Sequence, residues 1–494
     1  MPGITPMISP GVRVNIVDQS QYTTLPGLPT NAFAIVGGAQ FGPINVPTLL
    51  TSVNQFIQTF SIPIDTAGLT AINTLAAGGT IYYTRFAGAS AAKMKATLTG
   101  TGANLILEAT EKGTLLEGVW KAIVDAGTTS TDFKLTVTRT VGTNKPIVVV
   151  EETELSLTKG ADNYYTSWNN SYFTLTSSAA DSDPTAITTN EGITIEGGNN
   201  GIADTRADNA TAITSALDVL SDRETYEIMY LSAPDYSIDS TVAGQLVSVA
   251  AGRKDCIAQI DHDPNPETTA DADAVITALG SRATTPYVGL WAGIGGYITD
   301  PYNNNAERLV PVSAYLLPAL AAEYSVNPVW TAPASTAYLN LTLLVRLDKV
   351  WSQADRDKLY AANINPITNY KGLGYTAMGQ KSGQTTKSAM DRLNVVQLVN
   401  YVKVAIEKIS VDFLFAPIDD ETFSSWTYRV TNLLNNIKNQ RGLYDFKVKM
   451  DWETVTADAI NNNLMPGIVQ IKPTKVAEFI DIDLVIKNYS DSMD

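Results

Sequence analysis

Three apolar runs constrain the fold of this chain more than any other feature. Tyr226–Ala233 (YEIMYLSA), Cys256–Asp261 (CIAQID) and Tyr287–Ala292 (YVGLWA) alternate with helical stretches at Ala212–Leu220, Ser240–Gly252 and Ala272–Arg282. Strands that are apolar on both faces and separated by helices form a parallel sheet covered on both sides. The pattern predicts an α/β unit over residues 197–366. AERLVPVSAYLLPAL (306–320) reads as one further helix docking back on it.

A related pattern precedes it in residues 21–90. Phe33, Ile35 and Val36 read as a strand, broken by Gly37, Gly38, Gly42 and Pro43. Ser52 with Gln55 is a capping-box start for a helix whose apolar face is Phe56, Ile57 and Phe60. A second helix, Leu69–Ala77, stops at Gly78–Gly79, and the strand Ile81–Phe86 follows. Residues 91–196 differ in character. LILEAT, WKAIVDA, DFKLTVTRT, PIVVVEETELSL and YFTLTS are short β-rich runs separated by Gly, Asn, Asp and Ser. Their spacing predicts an antiparallel sandwich or barrel, inserted at the periphery of the α/β pattern.

Residues 367–477 read as an α+β unit. Met390, Leu393, Val396, Val399, Val402, Ile406, Ile409 and Phe413 recur at helical spacing, up to a stop at Pro417. Asp420 is positioned to cap a second helix bearing Phe423, Trp426, Val430, Leu433, Leu434 and Ile437, with Gly442 as its terminator. Tyr444, Phe446, Val448 and Met450 then alternate as a strand.

Both ends of the chain show period-two alternation. Val12, Val14 and Ile16 alternate with Arg13, Asn15 and Val17; Ile480, Ile482, Leu484 and Ile486 alternate with Asp481, Asp483, Val485 and Lys487. Each is a strand with no partner beside it in sequence, which makes it a donor for another sheet. Residues 1–20 and 478–494 are therefore read as linking arms.

Charge and composition narrow the function. The net charge is −16: residues 1–370 hold 20 Lys+Arg against 35 Asp+Glu, and residues 371–494 hold 14 against 15. An acidic bulk argues against binding the phosphates of nucleic acid. No run approaches the ~18 apolar residues of a membrane span, and the start of the chain lacks the charged and apolar regions of a secretory signal. The single cysteine, Cys256, excludes an intramolecular disulfide and fits synthesis in a reducing compartment.

Catalytic signals are weak. His262 is the only histidine, and no CxxC or HExxH accompanies it, so neither a metal nor a cofactor is expected. Asp261, Asp263 and Glu267 resemble a calcium loop only until Pro266, which stands where an EF-hand requires glycine. Gly374–Ser382 (GYTAMGQKS) departs from a P-loop because Gln380 separates the second glycine from Lys381. GLWAGIGG (289–296) lacks dinucleotide-binding spacing, and no GxSxG is present.

The ordered set of segments resembles the contractile bacteriophage tail sheath proteins. It comprises PGVRVNIVD, AIVGGAQFGPINVPTLLTSVNQFIQTF, IEGGNNG (195–201), RKDCIAQID, VPVSAYLLPALAAEYSVNPVWTAPAS (310–335), ANINPITNYKGLGYTAMGQKS and VAEFIDIDLVI. Met378 and Lys381 stand where family members often carry Trp and Arg, and GLWAG replaces a common PW. The resemblance implies a subtilisin-like fold for 197–366 without its chemistry, and a structural, non-enzymatic subunit. It also implies a helical homo-oligomer around a tail tube, with baseplate and tail terminator proteins as further partners and no nucleic acid or membrane insertion. Its place would be the virion, after assembly in the host cytoplasm. The arm residues Val12, Val14, Ile16, Ile480, Ile482 and Leu484 would add strands to neighbouring C-terminal units. Gln19–Pro29 and Thr474–Ala477 would serve as hinges, and contraction would need no ATP. Arg429, Lys438 and Arg441 on the helix Phe423–Arg441 would face the tube. Two rival classes are an α/β hydrolase-like enzyme with an accessory β-domain and a β-rich receptor-binding virion protein.

Overall fold

The computed structural model describes residues 31–482 apart from 116–117, 143, 169, 181, 283–284 and 370–371. Its centre is an eight-stranded sheet in the order Tyr375–Ala377, Asn365–Asn369, Val288–Ala292, Ile257–Ile260, Tyr230–Ser232, Ala32–Gly37, Thr80–Arg85 and Thr48–Leu50. The six inner strands run parallel, and the outermost strand on each side is antiparallel to its neighbour. Every residue of Ala32–Gly37, Ile257–Ile260 and Val288–Ala292 is buried, as expected of strands covered on both faces.

The segments read separately as 21–90 and 197–366 thus share one sheet, because Phe33–Ile35 pairs directly with Tyr230–Ser232. Asn365–Asn369 and Tyr375–Ala377 extend the same sheet. The covering helices begin at polar caps: Asp65 for Thr66–Ala76, Thr205 for Arg206–Val219, Asp239 for Ser240–Arg253 and Asp271 for Ala272–Leu279. Thr205 and Asp208 form a reciprocal capping box. That box starts its helix six residues before the apolar spacing becomes visible. The expected Ser52 cap is also present, but Gln55 accepts from Thr51 N and not from the cap itself. The run 306–320 is not one helix. Ala306–Leu309 pairs with Gly296–Asp300, and only Ser313–Tyr324 is helical, with Pro318 inside it.

The β-rich region forms two antiparallel sheets. One has the order Asn190–Thr194, Val119–Ala126, Asp132–Thr140 and Ile147–Ser156; the other has Lys93–Leu98, Leu105–Lys112 and Phe173–Ser177. They enclose their own core around Trp120, Phe133, Leu135 and Phe173. The chain leaves and re-enters the α/β body where Gly88 N donates to Asn200 O at 3.0 Å. A Cβ on Gly88 would lie 2.2 Å from Gly201 O, so only glycine permits this approach. The buried Arg85 guanidinium spans the junction, donating to Gly42 O (2.6 Å) and Lys112 O (2.5 Å).

The C-terminal region contributes a third core, built from Leu393–Val411, Asp420–Asn439 and a small β-ribbon. Its helix ends differ from expectation. Asp419, not Asp420, accepts from Thr422 N as the cap. The first helix ends at Val411, well before Pro417. The left-handed residue after the second helix is Arg441 (φ 64°). Gly442 is required for space instead, since a Cβ there would meet Ile437 Cγ2 at 2.6 Å.

Candidate intersubunit joint

The ribbon consists of Leu443–Lys449 paired antiparallel with Ile468–Pro473, from Leu443 opposite Pro473 to Lys449 opposite Ile468. It is a two-stranded sheet, so among the described residues each strand has one unpaired edge. Phe446, Val448, Val469 and Ile471 pack against the core to which the helix Asp420–Asn439 contributes Phe423, Trp426, Val430, Leu433, Leu434 and Ile437. Isolated two-stranded ribbons are marginal in water, and this helix supplies the missing face. Tyr444 does not join Phe446 and Val448 as the alternation predicts. An irregularity between Leu443 and Asp445 buries Leu443 and leaves Tyr444 54% exposed.

Past Pro473 the chain is held twice. Thr474 N donates to Gly442 O at 3.1 Å. Four residues later, both Glu478 carboxylate oxygens are engaged. Oε1 accepts from Arg392 Nε (2.6 Å) and Gln380 Nε2 (3.3 Å); Oε2 accepts from Arg392 Nη2 (3.0 Å) and Tyr360 OH (2.7 Å). Burial acts to raise the Glu478 pKa, but the Arg392 and Tyr360 bonds outweigh it and hold the carboxyl below its ordinary value. The expected hinge Thr474–Ala477 therefore runs between two fixed points. In the sequence Glu478 stands out only as a member of the segment VAEFIDIDLVI. Its partners are distant in the chain, and nothing local signals them.

Beyond Glu478 the pattern inverts. Phe479, Ile480 and Ile482 are 82%, 80% and 79% exposed, and none of them is in a strand of its own chain. Leu484, Val12, Val14, Ile16 and the linker Gln19–Pro29 lie outside the described residues.

Of the three cations expected on the helix face, Arg429 is bound to Asp412 (2.6 Å) and stands over the Phe413 ring. Lys438 is bound to Asp445 (2.9 Å), and Arg441 lies in the exposed turn after the helix. Two of the three already have carboxylate partners in their own chain.

The residues with catalytic overtones serve the fold. His262 is buried; its Nδ1 lies 2.8 Å from Asp263 O and its Nε2 accepts from Gly293 N at 3.2 Å. Burial lowers its pKa to about 4, so the ring is neutral and occupied at both nitrogens. Asp261 accepts from Ser313 N, Ser313 Oγ and Ser237 Oγ, capping Ser313–Tyr324 against the sheet, and burial raises its pKa to about 6. In the P-loop-like stretch, Lys381 Nζ donates to Tyr360 O (2.6 Å) and lies over that ring. Among the described residues there is no group of three His, Cys, Asp or Glu placed to hold a metal, and no helix long and apolar enough to cross a membrane.

No family model matches the chain. It is 28% identical over 312 residues to the tail sheath protein of Enterobacteria phage T4, covering 59% of this chain and 46% of that one. It is 29% identical over 307 residues to the tail sheath protein of Vibrio phage KVP40, covering 62% and 43%. The chain spans less than half the length of these curated relatives. The sheath tail protein of Listeria innocua has a similar fold, with a TM-score of 0.61 at 14% identity, covering 91% of this chain and 92% of that one. The contracted-state sheath complex of an extracellular contractile injection system scores 0.56 at 14% identity, covering 98% and 99%. By sequence over about three fifths of its length, and by fold over nearly all of it, the chain resembles the contractile tail sheath proteins.

Proposed function

We propose that this chain is a structural subunit of a contractile tail sheath. It polymerises as a helical cylinder around a tail tube and contracts to drive the tube through a host envelope. One observation carries the reading best: a ribbon whose two outer edges are unpaired among the described residues, followed in the chain by a segment whose apolar side chains are exposed. Ile480 and Ile482, with Leu484, add a strand to one edge of a neighbour's ribbon, and Val12, Val14 and Ile16 of another copy add to the other. Main-chain hydrogen bonds then make the joint, and pairing removes the exposed edges that a lone subunit carries.

The proposed organisation has arms at 1–20 and 478–494, α/β segments at 21–90 and 197–366, a peripheral β-unit at 91–196 and a joint-bearing α+β unit at 367–477. The tube-facing surface lies on the helix Asp420–Asn439 and the turn holding Arg441. Tube, baseplate and terminator proteins are the other partners, and the subunit belongs to the virion after assembly in the host cytoplasm. The role is mechanical, and no nucleotide or catalytic residue enters it.

Negative-stain microscopy of the purified chain tests the proposal. Long hollow cylinders are expected. Removing residues 1–17 or 479–494 should abolish them and leave a folded subunit. Monomers that persist across salt and protein concentration would count decisively against it.

A further inference from the structure

Residues 475–482 invert the usual order of burial. Lys475, Val476, Ala477, Phe479, Ile480, Asp481 and Ile482 are exposed, whereas the acidic Glu478 keeps a side chain only 17% accessible. Carboxylates are ordinarily the residues left in water. Here the carboxylate is drawn in because four donors converge on it. They come from three separate segments: the helix Gln353–Ala361 (Tyr360), the loop after Tyr375–Ala377 (Gln380) and the residue capping Leu393–Val411 (Arg392).

The receptor is itself braced. Lys381 pairs through its backbone with Arg392, and its ammonium is bonded to Tyr360 O. Asn365 Oδ1 accepts from Lys381 N at 2.7 Å, tying this strip to the parallel sheet. The Arg392 fork meets both carboxylate oxygens, the geometry that gives charge-assisted pairs their strength and direction.

We infer that Glu478 is the anchor of the C-terminal arm, and that the arm pivots after Glu478 and not within Thr474–Ala477. The inference rests on the sheath reading for its purpose, but not for its geometry. Tension on an arm bound to a neighbour passes through Glu478 into Arg392, and so into the helix Leu393–Val411 and the eight-stranded sheet. The two-stranded ribbon, the smallest of the described sheets, is bypassed. Glu478 is a positioning residue: it sets where the arm leaves the body, and Phe479 onward supplies the contact.

Nitroxide labels on Ala477→Cys and Ile480→Cys variants of the unassembled full-length chain test this. The label at 477 should rotate at least about threefold more slowly than the label at 480. Glu478→Ala should erase that difference while the helices Leu393–Val411 and Asp420–Asn439 keep their hydrogen-exchange protection. Glu478→Arg combined with Arg392→Glu should restore at least part of it, which loss of generic packing would not predict. If the label at 477 moves as freely as the label at 480 in the parent chain, or as slowly in Glu478→Ala as in the parent, the anchor is refuted. Cylinder formation by the parent chain is scored separately: failure there overturns the sheath reading and leaves the anchor intact.

Discussion

Replacing Ile480 and Ile482 by serine should separate assembly from folding. Both side chains are about four-fifths exposed in the lone subunit, so serine removes almost no packing from the folded chain. In a strand added to a neighbour, both would face the same side. Full burial of an isoleucine contributes about 1.5–3 kcal/mol. With four-fifths still to bury, two isoleucines contribute about 2–5 kcal/mol per joint. Ordering their rotamers costs roughly 0.5–1 kcal/mol each, leaving about 0.4–4 kcal/mol. At about 1.4 kcal/mol per decade, the concentration needed for assembly should rise roughly 2- to 700-fold. Sedimentation of cylinders across a dilution series reads that threshold, and thermal unfolding of the unassembled subunit reads the control. An unchanged threshold would refute the joint. So would a large loss of subunit stability, because it would mean that the isoleucines pack within their own chain.

Three further outcomes are expected. Gly442→Ala forces a methyl against Ile437 and Trp330 and should destabilise the C-terminal core by about 1–3 kcal/mol, read from the urea midpoint of pulse proteolysis. His262→Gln should change the pH dependence of stability with a definite sign. The folded-state pKa of His262, about 4, lies below its ordinary 6.5, so its contribution is full above 6.5 and is lost as pH falls toward 4. Asp261, raised to about 6, acts oppositely and loses stability as pH rises from about 4 to 6. Relative to the parent, the variant should lack up to about 3 kcal/mol of upward slope between pH 4 and 6.5; identical slopes in urea melts would contradict the neutral buried imidazole. Charge reversal at Arg441 should weaken sheath–tube co-assembly more than reversal at Arg429 or Lys438, whose charges are matched by Asp412 and Asp445. No effect of the Arg441 reversal in a co-sedimentation assay would remove Arg441 from the tube-facing surface, and equal effects at all three would refute the claim that Asp412 and Asp445 neutralise its neighbours.

Much of the architecture was legible locally. Apolar runs such as Cys256–Asp261 and Tyr287–Ala292 became inner parallel strands because a strand covered on both faces must be apolar throughout. The β-rich character of residues 91–196 was legible from alternation and turn residues, and the two long C-terminal helices from their three- and four-residue spacing. Errors gathered at element ends. Periodicity cannot see the polar first turn of Arg206–Val219, nor choose between Asp419 and Asp420 as a cap, because the choice depends on which carboxylate reaches Thr422 N.

Sequence alone also determined that the end of the chain carries apolar residues at alternate positions, a property of side-chain order that needs no coordinates. The tertiary structure decided what those residues lack and what holds them. It showed that Ile480 and Ile482 find no cover within the described residues. It left the ribbon's edges unpaired among the described residues and brought Tyr360, Gln380 and Arg392 onto a carboxylate 86 to 118 positions away. It also joined residues 32–85 and 230–377 in a single sheet. Such convergence is invisible to local patterning because hydrogen bonds act over about 3 Å of space, whatever the length of chain between their partners.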